Sequence, residues 1–401
     1  MRVGMVTAVV VTIATLAGCA PVDVNDAFYR AELPDRSARP GDVIRSRPSR
    51  FTLDPFTGNQ VGGVRSWQVL YHSVDALGRD TAVSGTVLVP AGAWTGPGAR
   101  PLVSYGVGSR GVGDQCAPSH TLSNGLDYEG SVILEALRRG WAVAVTDMIG
   151  LGTPGVHTYG VGRDQGHATI DVVRAAQRMP ETGLSLTNPV GFWGYSQGGQ
   201  TAAWAAELAP SYAPELNVAA VVAAGVPADL KAVTQRMDGG LFFALAMLSA
   251  GGYDAAYPDL QLPSFLNDRG RRLFTQLDTM CIVDPIGFQL FINSAFRHPS
   301  DYTATDPLAT PQWSARLDEN KLGRGRPSAP TLLMQAPDDQ LVPLQGALAL
   351  RDGWCRNGAN VTWNLFPFGE HVLGLLMSIS PALDFLTARF AGEPTTGSCP
   401  T

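Results

Sequence analysis

Charge is scarce in this chain. Of 401 residues only 16% are Asp, Glu, Lys or Arg, while 45% are hydrophobic. That balance excludes a disordered chain and suits a large buried core, as in an extracellular enzyme. The net charge is −6, so the chain also lacks the basic excess that a nucleic-acid partner requires. No internal period of roughly 20–50 residues is visible, which excludes a solenoid. Histidine is rare: His72, His120, His157, His167, His298 and His371 are the whole set. His157 and His167 have no cysteine or acid neighbours at zinc-site spacing, so no metal is expected. The glycine-rich run Asp147-Met148-Ile149-Gly150-Leu151-Gly152 has no Gly-Lys-Ser/Thr and no dinucleotide spacing. It is read as the rim of a site, and no cofactor is expected. Glycine (45) and proline (29) are abundant, which fits a loop-rich fold.

The most informative residues are Gly194-Tyr195-Ser196-Gln197-Gly198. Before them, Val190-Gly191-Phe192-Trp193 reads as a short buried strand. After them, residues 200–208 are Ala-rich and read as a helix. Strand, sharp turn and helix with serine at the apex make a nucleophile elbow. Gly194, Gly198 and Gly199 provide the side-chain-free flanks that so tight a turn requires. The helix N-terminus then favours negative charge beside the serine.

A serine hydroxyl needs a base, and the base needs an orienting carboxylate. In this arrangement the chain order is Ser, then Asp or Glu, then His. Only His298 and His371 follow Ser196. His298 lies in a polar turn of a long inserted segment. His371 follows the apolar run 361–366 on a loop at a strand end, where the base belongs. The acid belongs on the loop after the strand 330–335. There Asp338 and Asp339 compete. Asp339 stands three residues before Val342-Pro343 and is favoured; Asp338 then reads as a turn residue after Pro337. The developing oxyanion needs two backbone amides. One is expected from Gln197. The other is expected from the loop Gly106-Val107-Gly108-Ser109-Arg110-Gly111, which follows the strand 101–105.

The N-terminus reads as a leader. Arg2 gives a minimal positive region, and residues 3–16 are apolar but too short to span a bilayer comfortably. Leu16-Ala17-Gly18-Cys19 resembles a bacterial lipobox, which would make Cys19 the lipidated first residue of the mature chain. An ordinary signal peptide cut near Ala20 is the alternative. Residues 1–18 are therefore read as signal peptide and 19–50 as a tether and N-terminal segment. Five cysteines are present, and setting Cys19 aside leaves Cys116, Cys281, Cys355 and Cys399. Four cysteines allow three pairings, and spacing does not choose among them.

Apolar runs at 66–71 and 82–89 read as an antiparallel pair. Those at 101–105, 141–147, 190–193, 218–224, 331–335 and 361–366 alternate with helical patterns at 131–139, 165–179, 200–208, 344–357 and 373–390. Such alternation means a mostly parallel sheet covered by helices on both faces. About a hundred residues between 224 and 331 carry no clean strand, too many for a loop. They read as a mainly helical cap at 227–326, inserted between core segments 51–226 and 327–401. The run 241–248 within it is either a lining for acyl chains or an ordinary buried helix.

The chain is similar to the secretory lipase family of α/β-hydrolases. The similarity rests on Gly194-Tyr195-Ser196-Gln197-Gly198-Gly199, Asp114-Gln115-Cys116-Ala117-Pro118-Ser119, Pro337-Asp338-Asp339-Gln340-Leu341-Val342-Pro343, Gly358-Ala359-Asn360 and Gly369-Glu370-His371. Phe28-Tyr29 and Gly41-Asp42-Val43-Ile44-Arg45-Ser46-Arg47 also look like the family's N-terminal segment. The resemblance implies Asp339 as the triad acid, pairings Cys116–Cys281 and Cys355–Cys399, and the Arg110 amide as second oxyanion donor. The family's best-known fungal member has an acidic residue in place of Arg110, a departure that bears on local charge and substrate preference rather than on the amide.

The expected function is an exported serine carboxylic-ester hydrolase. In the first place it is a lipase acting on triglycerides or other acyl esters, attached through lipidated Cys19 to the outer face of a bacterial cell membrane. A secreted form is the alternative. A shorter-chain esterase or an acyltransferase fits the same triad. A catalytically silent lipid-binding lipoprotein is the rival of a different class, and the ordered Ser, Asp and His weigh against it.

Overall fold

A computed structural model of the chain describes residues 26–31, 38–277 and 279–399. The expected leader and Cys19 lie outside them. The β-branched and small apolar runs form one nine-stranded sheet. In chain order its strands are β1 (Val43–Ser49), β2 (Val64–Val74), β3 (Asp80–Pro90), β4 (Leu102–Gly106), β5 (Ala142–Thr146), β6 (Val190–Tyr195), β7 (Val218–Ala224), β8 (Thr331–Gln335) and β9 (Val361–Leu365). Their spatial order is β1-β2-β3-β5-β4-β6-β7-β8-β9. β1, β2 and β3 pair antiparallel, and β3 joins β5 in the same sense. From β5 to β9 every neighbouring pair is parallel.

β1 falls in the stretch 19–50, read as a tether and N-terminal segment, and over its described residues the tether part of that reading is corrected. Its sequence, Val-Ile-Arg-Ser-Arg-Pro-Ser, is polar and carries Pro48, yet it pairs along β2. An edge strand has one unpaired side, where proline and charge are tolerated and discourage further pairing. Arg47 reaches back to Asp26 at 2.6 Å and lies over the Phe28 ring. Phe28 and Tyr29 are buried with Leu70, so this segment is packed rather than tethered.

Two apolar clusters, one on each face of the sheet, make the three layers. One packs α2 (Gly130–Arg138) and α11 (His371–Phe390) through Val132, Ile133, Leu383 and Leu386. The other packs α3 (Gly162–Arg178) and α4 (Gln197–Tyr212) through Ile170, Val173, Ala202 and Ala205. The alanines let α4 approach the strands closely, and each large apolar side chain buried in this way stabilises by about 1.5–3 kcal/mol. A short α1 (Pro118–Asn124), with Pro118 in its first turn, has no counterpart in the sequence-based reading.

Between β7 and β8 the chain forms α5 (Leu230–Met237), α6 (Phe243–Ala256), α7 (Asp268–Leu277), α8 (Pro285–Ser294) and α9 (Pro311–Glu319). Among the described residues this insert adds no strand to the sheet. Its apolar cluster, with Phe243, Met247, Tyr253 and Trp313, also takes in Tyr159, Leu341 and Val342 from loops of the sheet domain. Cys116–Cys281 fastens the insert to the loop after β4, and Cys355–Cys399 holds the C-terminal tail against α10 (Leu344–Arg356). The first bridge closes 165 residues. In the chain-entropy account such a loop stabilises by about 5 kcal/mol before native strain is subtracted.

Candidate active site

Ser196 sits between β6 and α4 with φ 58° and ψ −123°, a conformation that L-residues avoid. The turn is held in place by its surroundings. The Ser196 amide donates to Ala224 O at 2.9 Å, and Ser196 O accepts from Gln200 N at 2.9 Å. A Cβ on Gly194 would meet Gly198 O at 2.2 Å, and one on Gly198 would meet Gly106 O at 1.9 Å. No side chain fits either position. Strain of this kind persists only where the fold over-determines it, and it lifts the serine hydroxyl to the apex of the turn.

His371 is the first residue of α11. Its Nε2 lies 2.9 Å from Ser196 Oγ, and its Nδ1 lies 2.7 Å from Asp339 Oδ2. The Asp339 side chain is fully buried. Its Oδ1 accepts from the amides of Leu341 (2.9 Å) and Val342 (2.8 Å), while Gln335 Nε2 donates to Oδ2 at 3.2 Å. Asp338 is turned to other work: its amide donates to Gly369 O at 3.1 Å. The neighbouring aspartates are thus separated by the Asx turn that only the second can make with 341 and 342. His298, the other histidine after the serine, pairs with Asp238 at 2.7 Å on the exposed insert and does not meet Ser196.

Several residues that sequence reasoning missed hold the imidazole. Tyr195, inside the elbow itself, donates its hydroxyl to His371 O at 2.6 Å, and its ring packs on the imidazole at 5.1 Å. Gln340 accepts from the His371 amide at 3.0 Å. Glu370 caps α11 through the amides of Val372 and Leu373, at 2.9 and 2.8 Å. An acid directly before an apolar helical run is an N-cap signal and was readable. Tyr195 and Gln340 leave no periodic trace.

Gln197 opens α4, so its amide has no intrahelical acceptor and stands beside the serine with the positive end of the helix dipole. Across the cavity runs the loop after β4. A pocket of about 40 Å³ is lined by Ser109, Ser196, Gln197, Leu230, Leu245 and Val342, among others. Ser109, not Arg110, is the loop residue lining it. The Arg110 side chain turns into the protein and pairs with Asp127 (2.7 Å) and Glu129 (2.9 Å) beneath the Tyr128 ring, 3.8 Å from its centroid. Burial works against the guanidinium's charge, but the acidic neighbours outweigh it and raise its pKa well above the usual range. Burial raises that of Glu129, with Arg110 opposing. The expected charge of Arg110 at the cavity is therefore neutralised below it.

The small pocket shares Leu230 and Ser249 with a cavity of about 380 Å³ inside the insert, lined by Phe243, Ala246, Met247, Tyr253 and Trp313 among others. The run 241–248 thus divides. Leu241 is half exposed, Leu245 faces the serine pocket, and Phe243 and Met247 line the larger cavity.

Among proteins of known character, the chain matches the secretory lipase family over residues 116–398. It is 35% identical over 385 residues to the "probable inactive lipase MT1628" of Mycobacterium tuberculosis, covering 93% of this chain and 83% of that one. It is 27% identical to lipase A of Arthroderma benhamiae, covering 96% and 84%. The fold superposes on the closed state of Candida antarctica lipase A with a TM-score of 0.84 and 25% identity, covering 94% of this chain and 89% of that one. A rice cell wall degrading esterase from Xanthomonas oryzae shares the fold at a TM-score of 0.69, with 21% identity over 86% of this chain and 98% of that one.

Proposed function

The chain belongs to the secretory lipase family of carboxylic ester hydrolases, and from that premise we propose that it works through Ser196, His371 and Asp339. Ser196 Oγ attacks the ester carbonyl carbon while His371 Nε2 takes its proton. Asp339 holds the imidazole tautomer and stabilises the imidazolium that forms. The carbonyl oxygen, now negative, is received by the amides of Gln197 and Arg110. His371 returns the proton to the leaving alcohol. It then takes one from water, whose oxygen attacks the acyl carbonyl carbon, and gives that proton to Ser196 Oγ as the acyl–oxygen bond breaks and the carboxylic acid leaves. The observation that carries this reading is the unbroken hydrogen-bond chain from Ser196 Oγ through His371 to Asp339, at 2.9 and 2.7 Å.

The substrate class follows from shape. A serine pocket that shares walls with a larger, mainly apolar cavity suits the acyl chain of a lipid ester, and the lipase names of the relatives agree. In our reading, residues 227–326 act as a cap over a hydrolase core made of 51–226 and 327–401, to which β1 is added. The protein is exported, as its secreted relatives are. The further step, anchoring through an acylated Cys19 after removal of residues 1–18, rests on the lipobox resemblance. The second reading is a catalytically silent lipid-binding protein, and the name of the mycobacterial relative is the finding on its side. The ordered triad geometry weighs against it. p-Nitrophenyl esters from acetate to palmitate, offered to wild type and to Ser196→Ala, separate the two. We expect turnover that falls by at least about three orders of magnitude in the variant. Substantial hydrolysis by purified Ser196→Ala would remove the nucleophile assignment.

A further inference from the structure

The loop after β4 is held by an unusual set of side chains. The Gly108 amide donates to Glu129 Oε2 at 2.9 Å. The Gly108 carbonyl accepts from Arg110 Nη1 at 3.2 Å. The Ser109 carbonyl accepts from the Tyr128 hydroxyl at 2.9 Å. The Arg110 carbonyl accepts from Ile282 N at 2.9 Å, and Gly111 bridges Cys281, the cysteine bonded to Cys116. All three carbonyls from Gly108 to Arg110 are therefore occupied. Among the described residues no protein acceptor meets the amides of Ser109 and Arg110, although Arg110 is only 4% exposed. Buried amides are almost always paired, so a buried amide without a protein acceptor, one residue along from Ser109 on the pocket wall, marks a place where a ligand accepts.

The trans peptide fixes the direction. Across a planar trans peptide C=O and N–H point opposite ways. Pulling the Ser109 carbonyl toward Tyr128 therefore turns the Arg110 N–H away from Tyr128. Tyr128 does not line the serine pocket, whereas Ser109 does. The guanidinium itself cannot drift, because Asp127 takes Nε and Nη2 at 3.1 and 2.7 Å and Glu129 takes Nη2 at 2.9 Å. Thr121 adds a bond to Asp127 at 2.8 Å.

We propose that Tyr128, Glu129 and the Arg110 side chain are positioning residues that aim the Arg110 amide at the oxyanion. The proposal rests on the serine-esterase reading above. An arginine at this place then acts below the loop, as the bolt of the donor, and not as a charge on the substrate. Removing an oxyanion donor outright lowers kcat roughly 10²–10³-fold, so a donor kept but loosened lowers it about tenfold.

Tyr128→Phe is the test, because it deletes one hydrogen bond and leaves the ring over the guanidinium. Arg110→Met would strip two buried carboxylates of their partner and is expected to unfold the chain, so it decides nothing alone. With p-nitrophenyl butyrate, Tyr128→Phe should lower kcat about tenfold while KM stays within about twofold. Butylboronic acid, which becomes tetrahedral on the serine, should lose affinity in parallel with kcat/KM. Glu129→Gln keeps an acceptor for the Gly108 amide and should retain more activity than Glu129→Ala. The thermal midpoint of Tyr128→Phe should stay close to wild type. Unchanged kcat and boronate affinity in Tyr128→Phe, or a rise in KM at constant kcat, would overturn the proposal. If Ser196→Ala abolishes turnover while Tyr128→Phe is normal, this inference alone fails. If Ser196→Ala remains active, the reading beneath it fails.

Discussion

On the sheet side of the serine pocket, polar atoms are held by short hydrogen bonds. Asp339 accepts from two backbone amides, Gln335 and His371, and the His371 backbone is fixed by Tyr195 and Gln340. On the insert side, Leu230, Val233, Met237 and Leu245 offer apolar surface, with the larger cavity behind them. The outer face of the insert leaves Phe288, Ile292 and Phe296 exposed. In the proposed reading, the difference follows from what each side must do. Proton transfer needs atoms fixed to a fraction of an ångström, which directional bonds provide. Accepting an acyl chain needs volume and dispersion, which are non-directional and tolerate repacking. Chemistry should therefore be sensitive to single atoms on the sheet side, and substrate range to volume on the insert side.

The largest expected effect breaks the sheet side alone. Asp339→Asn should lower kcat by about 10⁴, since the wrong imidazole tautomer is then favoured. Asp338→Asn should stay within about twofold, because that side chain takes no part in orienting the imidazole. Steady-state kinetics on one soluble ester reads both. If the second variant is the dead one, the Asx turn made by Asp339 has been given the wrong meaning.

The bridge between the two sides comes next. Replacing Cys116 and Cys281 together by serine should cost about 2–5 kcal/mol of stability. Replacing Cys355 and Cys399, which close only 44 residues, should cost less. Denaturant titration of the two double variants compares them. Equal losses would mean that fastening the insert is no more important than pinning the tail.

Filling the passage should sharpen the comparison by changing selection without chemistry. Leu230 lines both cavities, so Leu230→Trp narrows the route between them. We expect kcat/KM for a palmitate ester to fall about 10–100-fold, and that for acetate to change within about twofold. A uniform loss over all chain lengths would place the acyl chain elsewhere.

A separate test concerns a buried acid that is not among the three proposed catalytic residues. Burial pushes Asp164 up to about 7, against the opposing contributions of Thr158 and of the Ala76 amide, which donates to its Oδ1. A carboxyl raised in the folded state favours folding below its unfolded pKa. That contribution is lost as pH rises through about 7. Wild type should therefore lose stability relative to Asp164→Asn between pH 4 and pH 8, by roughly the span of this titration. Thermal melts of both proteins across that range would contradict this if their difference stayed constant.

Much of the sheet domain was legible because its signals are local. Val218–Ala224 and Thr331–Gln335 are short, mainly apolar runs, and Gly194-Tyr195-Ser196-Gln197-Gly198 specifies a backbone turn as well as a candidate nucleophile. The first strand was hidden because an edge position tolerates Arg45, Arg47 and Pro48, which erase the apolar pattern. The choice between Asp338 and Asp339 rested on spacing and on the family resemblance, and became physical only with the turn to Leu341 and Val342. The partners of Arg110 were unreadable for another reason. Asp127, Tyr128 and Glu129 look like a solvated stretch, and only the folding of α2 against the loop after β4 makes them its support. The passage through the insert could not be read because cavities depend on how helices meet, not on their composition.

The central claim is that Ser196, activated by His371, is the nucleophile of an ester hydrolase. A fluorophosphonate reports on that directly, because it forms a stable covalent bond only with an activated serine. Intact-mass spectrometry of the treated protein, followed by peptide mapping, should find one adduct on the peptide carrying Gly194-Tyr195-Ser196-Gln197-Gly198, with ester turnover lost in proportion to labelling. Asp339→Asn should label far more slowly, and Asp338→Asn at the wild-type rate. Absence of labelling in a folded protein, or an adduct on another serine with Ser196 unmodified, would contradict the account.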